Sequence, residues 1–356
     1  MLSSRFEKSW THRLTKPALA VVSLLLLASC SANGSHSGAE AGPSSSASSS
    51  PSSANTSSSE AAPTPSPGSE DHEPGPGVDR DAPFVQRIQY PVADGGDPQQ
   101  NWGDLYLPAG KHQPKTVPLV VLIHGGAWRG GIGAEDFSDY ARALVDRGMA
   151  VYNIEYRRVG TGGGWPTTFT DVAAAMDHVP EISKKHPEFT TDDETVVGHS
   201  AGAQLAMWAG TRDSKNEHEL GAHPKFMPTR VVSLAGPLDM TYAADHGDSA
   251  IVGALGGSPA QRPDRYSNVD PIQNIDTSIP VVAVHGTADE VVSPVNSQRY
   301  IDAVQRAGGK GSLYLMEGDT HGSLIHDKAP HFGRILDIIT RVTTKPKDQV
   351  GQGGSA

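Results

Sequence analysis

The chain has 356 residues, with 29 Lys and Arg against 40 Asp and Glu and a formal net charge of -11. A mildly acidic, unpatterned balance offers no basic face and so argues against a nucleic-acid partner. Cys30 is the only cysteine, which excludes an internal disulfide and any cysteine-built metal site.

Residues 1–16 carry Arg5, Lys8, Arg13 and Lys16 against one acid, Glu7, and an apolar run follows from Ala18 to Ala28. A basic segment ahead of a short apolar one is the pattern of a secretory signal peptide. The run is far shorter than the ~20 residues that span a bilayer. It ends Leu27-Ala28-Ser29-Cys30, which resembles the bacterial lipoprotein box. That resemblance implies removal of residues 1–29 and a diacylglyceryl group on the Cys30 sulfur. Two acyl chains anchor stably where one holds only marginally, so the expected location is extracytoplasmic, on a cell membrane. Residues 30–77 are dominated by Ser, Ala, Gly and Pro. Such a composition buries too little apolar surface to offset its ordering entropy, and predicts a disordered tether. One large domain is expected over residues 78–345, with a disordered tail at 346–356.

Val85–Val92 and Trp102–Leu107 read as an antiparallel hairpin at a sheet edge. Val117–Ile123 is a continuous aliphatic run, as expected of a parallel strand buried on both faces. Similar runs recur at Met149–Glu155, Glu194–Val197, Arg230–Ala235, Pro280–Val284 and Ser312–Met316. Amphipathic helices are predicted between and after them: Phe137–Arg147, Phe169–Val179, Asn296–Ala307 and His331–Val342. Alternating β and α segments with aliphatic strands predict an α/β fold, a mostly parallel sheet with helices on both faces. Met240–Ile279 breaks that rhythm and is the expected site of a small cap region. Gly160–Gly164 reads as a flexible loop by composition.

Thr195 to Ala203 reads Thr-Val-Val-Gly-His-Ser-Ala-Gly-Ala and contains G-x-S-x-G between a predicted strand and a predicted helix. A serine on so sharp a turn has strained backbone angles, and Gly198 and Gly202 leave the room it needs. Ser200 is the expected nucleophile. His321 follows the last predicted strand, where a base belongs, and the chain order Ser, acid, His of such sites agrees. His124 precedes the serine and is expected to shape its loop. His285 is expected to be structural, and His326 and His331 to lie at the surface.

The pair His124-Gly125-Gly126-Ala127-Trp128 and Gly198-His199-Ser200-Ala201-Gly202-Ala203 resembles the esterase/lipase branch of the α/β-hydrolases, over essentially the whole predicted domain. The resemblance implies the α/β-hydrolase fold and Asp289 as the acid, about thirty residues before His321; Asp239 and Glu290 are its rivals. It implies an oxyanion hole from the N–H groups of Gly126, Ala127 and Ala201, with alanine at the third loop position where many relatives have glycine. Trp128 and Trp165 are expected to line the substrate pocket. No cofactor or metal motif is present, and acyl transfer through a Ser-His-Asp triad requires none. Three readings stand. The first is a lipid-anchored carboxylesterase acting on a small acyl substrate. The second is an amide hydrolase, similar to kynurenine formamidases or prolyl oligopeptidases. The third is a non-catalytic binding lipoprotein.

Overall fold

The computed structural model describes residues 77–191, 193–212 and 219–351. The expected signal peptide, Cys30 and the tether lie outside the described residues, apart from Gly77.

Leu119–Ile123 (β5) shows why the aliphatic runs become inner strands. All five residues are buried. Leu119, Val121 and Ile123 join the apolar cluster on one face of the sheet, and Val120 and Leu122 join the cluster on the other. Full burial of each such side chain contributes about 1.5–3 kcal/mol. Ala150–Ile154 (β6), Thr195–His199 (β7) and Arg230–Leu234 (β8) are likewise fully buried. So is Val281–Gly286 (β9). Gly311–Met316 (β10) is half-exposed, as befits a strand with a neighbour on one side only.

With Trp102–Leu107 (β3) and Phe84–Gln89 (β2) at one edge, eight strands form one sheet in the order β10-β9-β8-β7-β5-β6-β3-β2. From β10 to β6 all neighbours are parallel. Strand β3 pairs antiparallel with β6 and with β2, so the expected hairpin does close the sheet's edge. Val78–Arg80 (β1) and Gly110–His112 (β4) form a separate ribbon that the sequence reading did not contain.

Helices cover both faces. Ser138–Val145 (α1) buries Tyr140, Ala141, Leu144 and Val145, and Phe332–Thr344 (α9) buries Ile335, Leu336, Ile338, Ile339 and Val342 in the same cluster. Opposite them, Thr167–Asp177 (α2), Ala201–Thr211 (α4) and Val295–Arg306 (α8) pack on the other face, with Val179–Ser183 (α3) following α2. The sheet reverses its winding at β5, whose parallel neighbours are β6 and β7, and ligand sites in such sheets lie beyond the strands' C-terminal ends at that reversal.

The cap is three short helices, Met240–Asp245 (α5), Ser249–Leu255 (α6) and Pro263–Val269 (α7). Asp239 and Asp248 cap α5 and α6 with their carboxylates. Buried Asp270 ties the ends of the cap together by accepting from the N–H groups of Met240 and Thr241 at 2.9 and 3.1 Å. Burial nevertheless raises its pKa above the usual carboxylate value. One expectation needs correction. The tail does not lose its structure at 346, because a turn at Lys347–Gln349 brings Val350 into the core at 3% exposure. The Gly160–Gly164 loop is folded onto Arg158, whose carbonyl accepts from Thr161 and Gly163 at 2.8 Å each.

Candidate active site

Ser200 sits between β7 and α4 with φ 56° and ψ -122°, a region that L residues rarely enter. Its neighbours make the turn possible. A Cβ on Gly198 would collide with the backbone of Gly202, and one on Gly202 with the carbonyls of Ile123 and His124. The turn sets Ser200 Oγ 2.8 Å from His321 Nε2, in the loop after β10. His321 Nδ1 lies 2.8 Å from Asp289 Oδ2, in the loop after β9. With the imidazole proton on Nδ1, the ring donates to the carboxylate and accepts from the hydroxyl. The N–H groups of Val291 and Val292 donate to Asp289 Oδ1 at 2.9 Å each. Burial pushes Asp289 upward, but hydrogen bonds from His285 and His321 outweigh it and hold the carboxyl well below its ordinary range. A chain of this geometry can draw a proton from a hydroxyl and hold the resulting imidazolium against a fixed negative charge.

The hydroxyl opens onto a cleft of about 230 Å³. Ala127, Trp128 and Ala201 line it beside Ser200, and Ser249, Ala250, Val291 and Val292 form further parts of its wall. Trp128 is held by donating from Nε1 to Gln204 Oε1 at 3.2 Å. Ala127 and Trp128 have φ 55° and 54°, so the loop itself is strained where it meets the cleft.

Other expected residues fall elsewhere. Gly126, expected beside Ala127 at the oxyanion hole, turns the loop at φ 110°, where a side chain would also press on Ile132. Trp165 is packed against Phe169 and under the Arg265 guanidinium rather than in the cleft. Asp239 is taken up by the cap of α5 and by Arg299, 2.7 Å away, and Glu290 is exposed. His124 lies buried with its ring nitrogens 3.0 Å from Glu155 Oε1 and 2.7 Å from Gly125 O, which fixes the loop. Burial raises the Glu155 carboxyl, but the bond and charge of His124, the Tyr156 N–H and the Arg158 charge together outweigh it and leave the carboxyl below its ordinary value.

Sequence reasoning missed three supports. His199, inside the motif, donates from Nε2 to the His321 carbonyl at 2.9 Å. Burial, helped by the nearby His321, lowers its pKa to about 3, so the ring is neutral. His331, expected at the surface, bonds through Nδ1 to buried Asp319 at 2.6 Å and so braces the loop that carries His321. His285 touches Asp289 at 3.2 Å. A buried histidine at a strand end gives no sequence signal of its partner.

A mostly parallel eight-stranded sheet with a strained serine at a strand-to-helix turn defines the α/β-hydrolase class. The BD-FAE family model matches residues 103–303, and the chain belongs to that family. A probable isoprenylcysteine alpha-carbonyl methylesterase of Arabidopsis thaliana is 26% identical over 293 residues, 76% of this chain and 58% of the relative. Esterase LipC of Mycobacterium tuberculosis is 26% identical over 226 residues, 60% of this chain and 55% of that protein. Esterase B of Lactobacillus rhamnosis, solved with a tributyrin phosphonate inhibitor, superposes with a TM-score of 0.59 at 21% identity. That match covers 74% of this chain and 88% of the other, and shows a common fold. The chain spans 58% to 63% of the length of the methylesterases it matches.

Proposed function

We propose that this chain is a serine hydrolase that cleaves carboxylic esters. The observation that carries the reading is the hydrogen-bonded series Ser200, His321, Asp289 at the mouth of the cleft. Ser200 Oγ attacks the acyl carbon while its proton passes to His321 Nε2. The carbonyl electron pair moves to oxygen, which rests against the N–H groups of Ala127 and Ala201. Collapse expels the alcohol, which takes the proton from His321, and water repeats the sequence to free the acid. The cleft is smaller than the ~300–1,000 Å³ of sites for drug-sized ligands, which favours a short acyl group against Trp128 and Ala250.

Fluorophosphonate labelling of the chain, followed by peptide mapping, tests the nucleophile; the label is expected on Ser200, and no label would refute the reading. A panel of p-nitrophenyl esters and aminoacyl anilides is expected to show ester turnover, and faster anilide turnover would move the activity to amides. The N-terminal pattern supports a lipid-anchored, extracytoplasmic enzyme on a tether. Cells fed a clickable palmitate are expected to label the wild type and not Cys30→Ala.

A further inference from the structure

Behind Asp289 lies a second imidazole that the proton path above does not use. His285, in β9, is fully buried. Its Nε2 lies 2.8 Å from the Val292 carbonyl and 3.2 Å from Asp289 Oδ2. Its Nδ1 lies 2.7 Å from the hydroxyl of Ser297, a fully buried residue of α8. Both neighbours of Nε2 are acceptors, so that nitrogen carries the proton. Nδ1 then presents a lone pair, and the Ser297 hydroxyl donates to it.

The consequence falls on Asp289. Its Oδ1 is held by the N–H groups of Val291 and Val292, while Oδ2 faces both His321 and His285. One oxygen therefore meets two imidazoles, one of which moves protons and one of which is locked in the core. The locked ring therefore joins the Val291 and Val292 N–H groups in setting where Oδ2 stands before substrate arrives. The outer groups near this cluster are His199, whose ring centroid is 4.8 Å from that of His321, and exposed Glu290.

We infer that His285, kept in its Nε2–H tautomer by the Ser297 hydroxyl, is a positioning residue that aims Asp289 at His321. The inference rests on the triad reading above. It places five side chains in series, Ser297, His285, Asp289, His321 and Ser200, drawn from α8, β9, the two loops after β9 and β10, and the turn after β7.

The test is p-nitrophenyl acetate turnover by the full chain as wild type, Ser297→Ala, Ser297→Thr and His285→Leu, with melting curves to confirm folding. His285→Leu, which removes the 3.2 Å imidazole contact on Oδ2, is expected to lower kcat about 10-fold, the rate equivalent of roughly one hydrogen bond. Ser297→Ala is expected to lower it about threefold or more. In both, KM stays within about twofold, because neither residue lines the cleft. Ser297→Thr, which keeps the hydroxyl, is expected to retain the wild-type kcat. Unchanged kcat in Ser297→Ala and folded His285→Leu overturns the inference, as does a rise in KM alone. Should His285→Leu fail to fold, the Ser297 pair decides. A wild type that neither turns over ester nor labels on Ser200 overturns the triad reading, and this inference with it.

Discussion

Ser200 holds its hydroxyl at a backbone conformation with φ 56° because two glycines leave no side chain in the way. Gly202→Ala would drive a methyl group into the carbonyls of Ile123 and His124. Repacking costs of about 1–3 kcal/mol follow such overpacking, so a lower urea midpoint and a loss of turnover are expected together. Ser200→Ala leaves the fold and removes the proposed nucleophile; its kcat is expected to fall by about 10⁴- to 10⁶-fold in a direct assay. Asp289→Asn disturbs the imidazole tautomer, and a fall of about 10⁴-fold is expected. Gly198, Ser200 and Gly202 were legible because steric exclusion leaves its mark on the residues themselves. Asp289 was reached through family likeness, and the structure brings it to His321. Trp165 was misread because a loop's path decides which residues reach a cleft. His285 and His199 were opaque for a related reason: their partners are Ser297 and the His321 carbonyl, which only the folded chain brings near.

At the scale of elements, the aliphatic strands β5 to β9 were readable to within a few residues, since burial on both faces makes most of their positions apolar. The ribbon of β1 and β4 was not, because Val-Asp-Arg and Gly-Lys-His carry no periodicity to detect. The cap was located by its break in rhythm, but its helices escaped notice at six or seven residues each. One of them makes an element-level prediction. The Asp248 carboxylate accepts from the N–H groups of Ala250 and Ile251 at 2.9 and 3.2 Å, and residues 247–250 border the cleft beside Ser200. Asp248→Ala is expected to cost about 1 kcal/mol in urea unfolding. It should also raise KM more than it lowers kcat, since it loosens a wall and spares the relay.

Over the whole molecule, acid sensitivity follows from a ring that folding keeps neutral. His199 titrates near 6.5 when unfolded and at about 3 when folded, because burial penalises its charge. A depressed folded pKa contributes stability that is complete above the unfolded value and is lost as pH falls toward the folded one. Between pH 6.5 and 3 this group alone should remove about 1.4 kcal/mol per pH unit. The partly buried His178 and His186, also lowered by burial, act in the same direction, while the raised Asp270 opposes them near the carboxylate range. Melting temperatures measured from pH 7.5 to 4.5 are expected to drop below pH 6.5, and His199→Gln should flatten that drop.

His321 follows β10, an edge strand of the sheet, which among the described residues has β9 on one side and no strand on the other. Rims of sheets open at lower free energy than their centres, whereas the serine rides on β7, between two strands. Heating should therefore silence the proposed ester turnover several degrees before circular dichroism changes, with full recovery on cooling: a reversible fuse set in the rim of the sheet.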